Sequence, residues 1–197
     1  MKKWTIPAIV IGAVVLVVMI FAGTYNSLVG SRESVKTSFS NLETQYQRRA
    51  DLIPNLVNTV KGSGDFEQQV LTDVVEARAN ATKITVDAGN PQSVQNFQNA
   101  QDQLSGSLSR LIATVEAYPN IQTTQAYQDL MVQLEGTENR IAVARGDFNE
   151  AARPYNTRIQ TFPTSLIAGL FGFDSFPYFQ ATAGAENAPT VDFGNEQ

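Results

Sequence analysis

"RRADLIPNLVNTVKG", residues 48–62, carries a proline in the middle of a helical pattern. Val35, Phe39, Leu42, Tyr46, Arg49, Ile53, Leu56 and Val60 recur at alternating spacings of four and three, which places them on one helical face. The phase is the same on both sides of Pro54. A separate helix capped by Asp51 would have little reason to resume in register, so the spacing predicts a single helix that continues through Pro54 with a kink. Ala50, four residues earlier, is small enough to ease the clash between the proline ring and that turn of backbone. The helix is expected to stop at "KGSGD", where Gly62 and Gly64 interrupt it and Asp65 can cap the next one.

Three further amphipathic stretches follow. From about Phe66 to Ile84 the inward positions are Phe66, Val70, Val74, Ala77, Ala81 and Ile84, and "TVDAGNPQ" reads as a loop. Ser93 can cap a third helix whose Val94, Phe97, Leu104, Leu108, Leu111, Val115 and Tyr118 repeat until Pro119 stops it. The fourth carries Tyr127, Met131, Leu134, Glu138, Ile141, Arg145, Phe148, Ala152, Tyr155, Ile159 and Phe162 in one phase, and it too crosses a proline, Pro154. Runs of β-branched residues suited to a sheet are missing, so the fold class is all-α: an antiparallel bundle of about four helices in which two long, kinked helices flank two short ones. At roughly 1.5 Å per residue the two long helices are matched rods of about 55–60 Å. An even number of alternating helices returns the chain to its starting side, which brings the segment after Phe162 back beside the N-terminal one.

That N-terminal segment, "WTIPAIVIGAVVLVVMIFAGTY" (residues 4–25), holds no charge and meets the need for about 20 apolar residues to span a bilayer. Trp4 and Tyr25 bracket it with amphipathic rings suited to the two interfaces. A cleaved signal peptide is the rival reading, but Ile6 to Ala22 is long for its apolar core and "MIFAG" lacks the outer small residue of a cleavage site. Lys2, Lys3 and the amino terminus outweigh Arg32 and Lys36, so the positive-inside rule puts the N-terminus in the cytoplasm and the bundle outside. Ala8 and Gly12 form a small-xxx-small pair of the kind that seats a second helix. The expected organisation is a cytoplasmic N-terminus (1–3), a single transmembrane helix (4–25), a bundle domain (26–162), an aromatic-rich segment (163–180) and a disordered tail (181–197).

Composition removes several classes of function. Without Cys or His there are no disulfides, no thiolate or imidazole metal sites and no Ser-His-Asp or Cys-His chemistry. No cofactor is called for. Beyond residue 31 the chain carries 12 basic and 19 acidic side chains, and an acidic body with no basic stripe argues against nucleic acid.

Two groups of residues ask for a role. Arg49, Glu138 and Arg145 fall on inner rows, where unpaired charges would cost several kcal/mol. They read as an ion-pair cluster that fixes register between the long helices, with a ligand site or a pair of catalytic carboxylates as the sharper alternatives. "FPTSLIAGLFGFDSFPYF", residues 162–179, gathers Phe162, Leu170, Phe171, Phe173, Phe176, Tyr178 and Phe179 around a single charge, Asp174. These seven are candidates for membrane or partner contact, and the alternative is a strap packed on the open end of the bundle. Ser165 can cap a short helix here, too short to span a bilayer.

"YNSLV" (25–29), "RRADLIPNLVNTVKG" (48–62), "EAYPN" (116–120), "EGTENRIAVARGDFNEAARPYNTRIQTFP" (135–163) and "LIAGLFGF" followed by "FPYF" closely resemble the LemA family of bacterial envelope proteins. The resemblance implies an N-terminal membrane helix and an α-helical bundle, and it brings no enzymatic activity and no catalytic residues. It also implies association with membrane-bound peptidases or other membrane proteins, and membrane shaping in some relatives. In "GDFNEAARPYN" relatives more often have a Tyr-Asn pair at the first Asn, where Phe148 lacks the hydroxyl. The reading is a non-enzymatic, single-pass scaffold of the cell envelope that forms homo-oligomers, with an adaptor for one envelope partner, such as a membrane peptidase, as the alternative.

Overall fold

The computed structural model describes residues 4–62 and 66–180, and among these every regular element is a helix. Helix α1 (Thr5–Lys61) is 57 residues long: the apolar run and the first helix of the bundle are one uninterrupted helix. It is followed by α2 (Gln68–Lys83), α3 (Pro91–Val115), the four-residue α4 (Pro119–Gln122), α5 (Gln125–Gln160) and α6 (Thr164–Phe171). α1 and α5 run antiparallel along each other, α3 runs parallel to α1, and α2 packs back on both α1 and α3. Lys2, Lys3, Gly64, Asp65 and the tail 181–197 lie outside the described residues, so the expectations placed on them concern the sequence alone.

Both prolines are crossed in register, and at Pro54 the reason is visible. Proline has no N–H, so the carbonyl of Ala50 loses its helical partner. Ala50 is buried, and a buried carbonyl without a donor costs about 1–3 kcal/mol. Arg78 of α2 supplies the donor, its Nε reaching the Ala50 oxygen at 2.6 Å. The break in the backbone ladder thus becomes a joint between two helices.

Several boundaries differ from the sequence expectation. Asn90, not Ser93, caps α3: its side-chain oxygen accepts from the amides of Gln92 and Ser93 at 3.0 and 3.1 Å, and Pro91 occupies the first helical position. The Ser93 hydroxyl accepts instead from the Asp87 amide at 2.9 Å. Pro119 does not merely stop α3, which ends at Val115, because it also opens α4, a position where its missing N–H is harmless. α5 ends at Gln160, so Phe162 leaves the inner row and is 82% exposed. Ser165 does not cap α6. That helix starts after Pro163 and ends at Gly172, whose φ of 67° is the left-handed conformation glycine adopts freely, letting the Phe173 amide return to the Ala168 carbonyl at 2.9 Å.

The core has two parts. One holds Leu28, Val35, Phe39, Leu42 and Tyr46 of α1 with Phe148, Ala152, Tyr155 and Ile159 of α5 and the C-terminal segment. The other holds Ile53, Leu56 and Val60 with the inward faces of α2 and of the far halves of α3 and α5. As the helix count requires, the chain comes back to the end of the apolar run: the Phe171 ring meets that of Tyr25 at 4.9 Å.

If Arg78 replaces the bond that Pro54 removes, the two residues must be coupled. Arg78→Met is expected to cost about 1–3 kcal/mol in the native background and under about 1 kcal/mol beside Pro54→Ala, whose amide can serve the carbonyl itself. Equal costs in thermal unfolding of the full chain in detergent would refute the joint.

Candidate functional site

Between the two apolar clusters lies a polar layer centred on Arg49, which is 1% exposed. Nη1 donates to Glu138 Oε1 at 2.8 Å and to Ser105 Oγ at 2.9 Å, and Nη2 donates to the backbone oxygen of Gln101 at 3.3 Å and to its side-chain Oε1. The Ser105 hydroxyl in turn donates to the Gln101 backbone carbonyl at 3.1 Å. Nε is buried without an acceptor among the described residues, and the guanidinium lies 5.2 Å from the centre of the Tyr46 ring. One side chain of α1 thereby binds both α3 and α5, using the rigid donor fork that distinguishes Arg from Lys. Glu138 is 46% exposed on its side chain, so the pair sits at the edge of the bundle with its carboxylate toward water.

Arg145 does not join Glu138. Its Nε donates to the Tyr46 hydroxyl at 2.7 Å, and its Nη2 stands 3.8 Å from the Asp102 carboxylate. Tyr46 lies against both guanidiniums, and burial pushes its phenol above the ordinary range, more strongly than the two neighbouring cations pull it down. The cluster expected from sequence is therefore two linked units, Arg49–Glu138 and Arg145–Asp102, with Tyr46 between them. Gln101, Ser105 and Asp102 went unnoticed because α3 reads there as polar. The signal was a gap: the inward series Val94, Phe97, Leu104 skips the position that Gln101 fills.

The second constellation holds the C-terminal strap, residues 173–180. Asn156 is buried, and its side-chain amide pairs with both backbone groups of Phe176: Nδ2 donates to the carbonyl at 2.8 Å and Oδ1 accepts from the amide at 2.9 Å. Asn149 does the same for Phe179, both bonds at 2.9 Å. Seven residues of helix rise about 10.5 Å and three of extended chain cover about 9–10 Å, so the two amides match the pitch of the strap. The Tyr155 hydroxyl donates to the Asp174 carbonyl at 3.0 Å. Phe148, its counterpart seven residues earlier, is buried and packs against the rings of Phe39, Phe176 and Phe179 at 5.3–6.3 Å.

A model of the LemA family matches residues 38–193. The chain belongs to the LemA family. The match takes in the polar layer, both strap-holding asparagines, α6 and the strap, and it begins beyond the apolar run. Over 192 aligned residues the chain is 30% identical to magnetosome protein MamQ 2 of Paramagnetospirillum magneticum, covering 84% of this chain and 70% of the relative. It is 28% identical to magnetosome protein MamQ of Magnetospirillum gryphiswaldense, covering 79% and 64% respectively, and 22% identical to Protein LemA of Metamycoplasma hominis, covering 83% and 72%.

Against this LemA frame, the seven aromatic-segment residues divide. Phe173, Phe176 and Phe179 are buried in the first core cluster, which removes them from any contact with lipid or partner. Phe162, Leu170, Phe171 and Tyr178 remain exposed. A cleft of about 550 Å³ beside the strap is lined by Arg32 and Lys36 but also by Glu43, Asp87 and Asp174, so it presents no single sign of charge to a ligand. Among the described residues no cluster of acidic side chains is arranged to hold a metal ion.

Asn156→Ala leaves an amide and a carbonyl of Phe176 buried without partners, at about 1–3 kcal/mol each. The expected outcome is faster proteolysis within 173–180 and faster amide exchange at Phe176, with helix content by circular dichroism unchanged. A strap that stays protected would show that the rings alone hold it.

Proposed function

We propose that this chain is a non-enzymatic, membrane-anchored helical bundle that self-associates and serves as a scaffold in the bacterial cell envelope, with its N-terminus in the cytoplasm and its bundle outside. The observation that carries the reading is the continuity of α1. Its first part is long and apolar enough to cross a bilayer, and the side chains from Ile9 to Phe21 are exposed instead of buried inside the protein, which suits an anchor. The same helix then forms one wall of the bundle down to Lys61 without a linker. A body attached by a continuous helix is held at a set angle to its anchor, whereas a flexible tether would leave it free to turn. Fixed orientation is what an assembling scaffold requires, because neighbouring copies must present the same faces to one another.

The polar groups of the interior support this reading over catalysis. Arg49 engages Glu138, Ser105 and Gln101, and the two asparagines engage the strap, so these groups are directed at the chain itself. The three relatives named above bear the name of a structure, the magnetosome, or of the family, and none of these names states a reaction.

Protein extracted gently from its own membranes, analysed by light scattering and mass spectrometry on the same sample, is expected to give a multiple of the 21.5 kDa chain mass. A species that stays monomeric and without partners across mild detergents would contradict scaffolding. A defined hetero-complex would make the chain an adaptor, with its function in the partner.

A further inference from the structure

We propose that α6 is a second membrane contact: a short helix lying in the outer interface of the bilayer beside the exit of α1, with Phe162, Leu166, Leu170 and Phe171 among the lipids. The proposal rests on the reading that the apolar run of α1 spans the bilayer.

Three observations carry it. The first is the face that α6 leaves uncovered. On α6, Leu166 and Leu170 lie four residues apart and are 61% and 71% exposed, Phe162 just before the helix is 82% exposed, and Ile167 and Ala168 are buried against the bundle. No charged residue occurs from Ile159 through Phe173. A contiguous exposed apolar row of this kind is rare on a surface that faces only water.

The second is depth. From Pro7 to Tyr25 the helix rises about 28 Å at 1.5 Å per residue, close to the roughly 30 Å of a hydrocarbon core. Tyr25 therefore marks the outer boundary, and the Phe171 and Phe173 rings lie 4.9 and 5.6 Å from its ring. The end of α6 is thus fixed at the level where the spanning segment leaves the apolar region. The apolar row continues a surface that is already lipid-facing, since the side chains of α1 from Ile9 to Phe21 are exposed around the helix.

The third is the change of chemistry just above. Arg32, the first charged residue after the run, is about 10 Å further along α1 and places its guanidinium 4.8 Å from the Phe173 ring. That places a cation just above the level of Tyr25 and the end of α6, where headgroups would lie. An amphipathic helix buried about 5–10 Å into the headgroup boundary has this arrangement, with its apolar face below and charge above. Because α6 is packed on α1 and tied through Gly172 to a strap held by Asn149 and Asn156, a lipid contact there would restrain the tilt of the whole bundle.

The chain has no cysteine, so single-cysteine variants of the full protein can carry an environment-sensitive fluorophore in liposomes that contain nitroxide-labelled phosphatidylcholine. Val15→Cys reports the span, Leu166→Cys and Leu170→Cys report α6, and Val132→Cys, exposed on α5 in the half of the bundle remote from Tyr25, is the aqueous reference. The expected result is that the fluorophores at 166 and 170 are quenched severalfold more than that at 132 by a nitroxide near the headgroup. The fluorophore at 15 should be quenched best by a nitroxide deep in the chain. Quenching at 15 with 166 and 170 behaving like 132 would overturn the α6 contact and leave the span intact. A fluorophore at 170 that is shielded from water but not quenched would mean that a second copy or another protein covers α6, which also overturns it. No quenching at 15 would remove the spanning segment and this proposal together.

Discussion

A proline inside a helix leaves the carbonyl four residues back without its partner, and in α1 that carbonyl belongs to buried Ala50. Left unpaired, it would favour ending the helix near residue 50 and starting another. Arg78 removes that pressure by donating to it at 2.6 Å from α2. α1 consequently stays whole, and three later elements take their places against it: α5 antiparallel along its length, α2 at the proline, and α6 at Tyr25. Were α1 divided at Pro54, the inward face from Val35 to Val60 would lose its common phase, and the two apolar clusters could not both be lined by one helix.

Arg49 acts on the same helix in a different way. A buried guanidinium is not in itself stabilising, because desolvation offsets much of what pairing contributes. What it adds is register, since only one alignment of α1, α3 and α5 presents Gln101, Ser105 and Glu138 to its fork together. The apolar rows alone would tolerate slippage by a heptad. The Arg49 layer excludes this, as would the strap, whose Phe176 and Phe179 fit only amides placed seven residues apart on α5.

Much of the fold was legible because it depends on periodicity. The phase conserved across Pro54 and Pro154 foretold unbroken helices, and the parity of the helices foretold the return of the chain to Tyr25. The side chains that hold the elements together were less legible, since a polar residue on an inner row declares only that it needs a partner. Arg49 was found that way, but Gln101 was hidden in a polar stretch of α3, and Asn149 and Asn156 sit beside the apolar rows, not on them. In the aromatic segment, composition could not say which rings turn inward. That depends on the extended strap presenting every third residue, Phe173, Phe176 and Phe179, to the core, while α6 turns Leu166 and Leu170 away from it.

The account depends most on α1 being one continuous helix from the apolar run into the far half of the bundle. Spin labels at Ala22→Cys and Asn58→Cys of the full chain in lipid test this directly, because the two positions are ten helical turns apart, lie on the same side and are separated by both Tyr25 and Pro54. A continuous helix predicts a single narrow distance distribution near 54 Å, at 1.5 Å per residue. A broad distribution, or a main distance shorter by more than about two turns, roughly 11 Å, would mean a hinge at the membrane boundary or at the proline and would contradict the account.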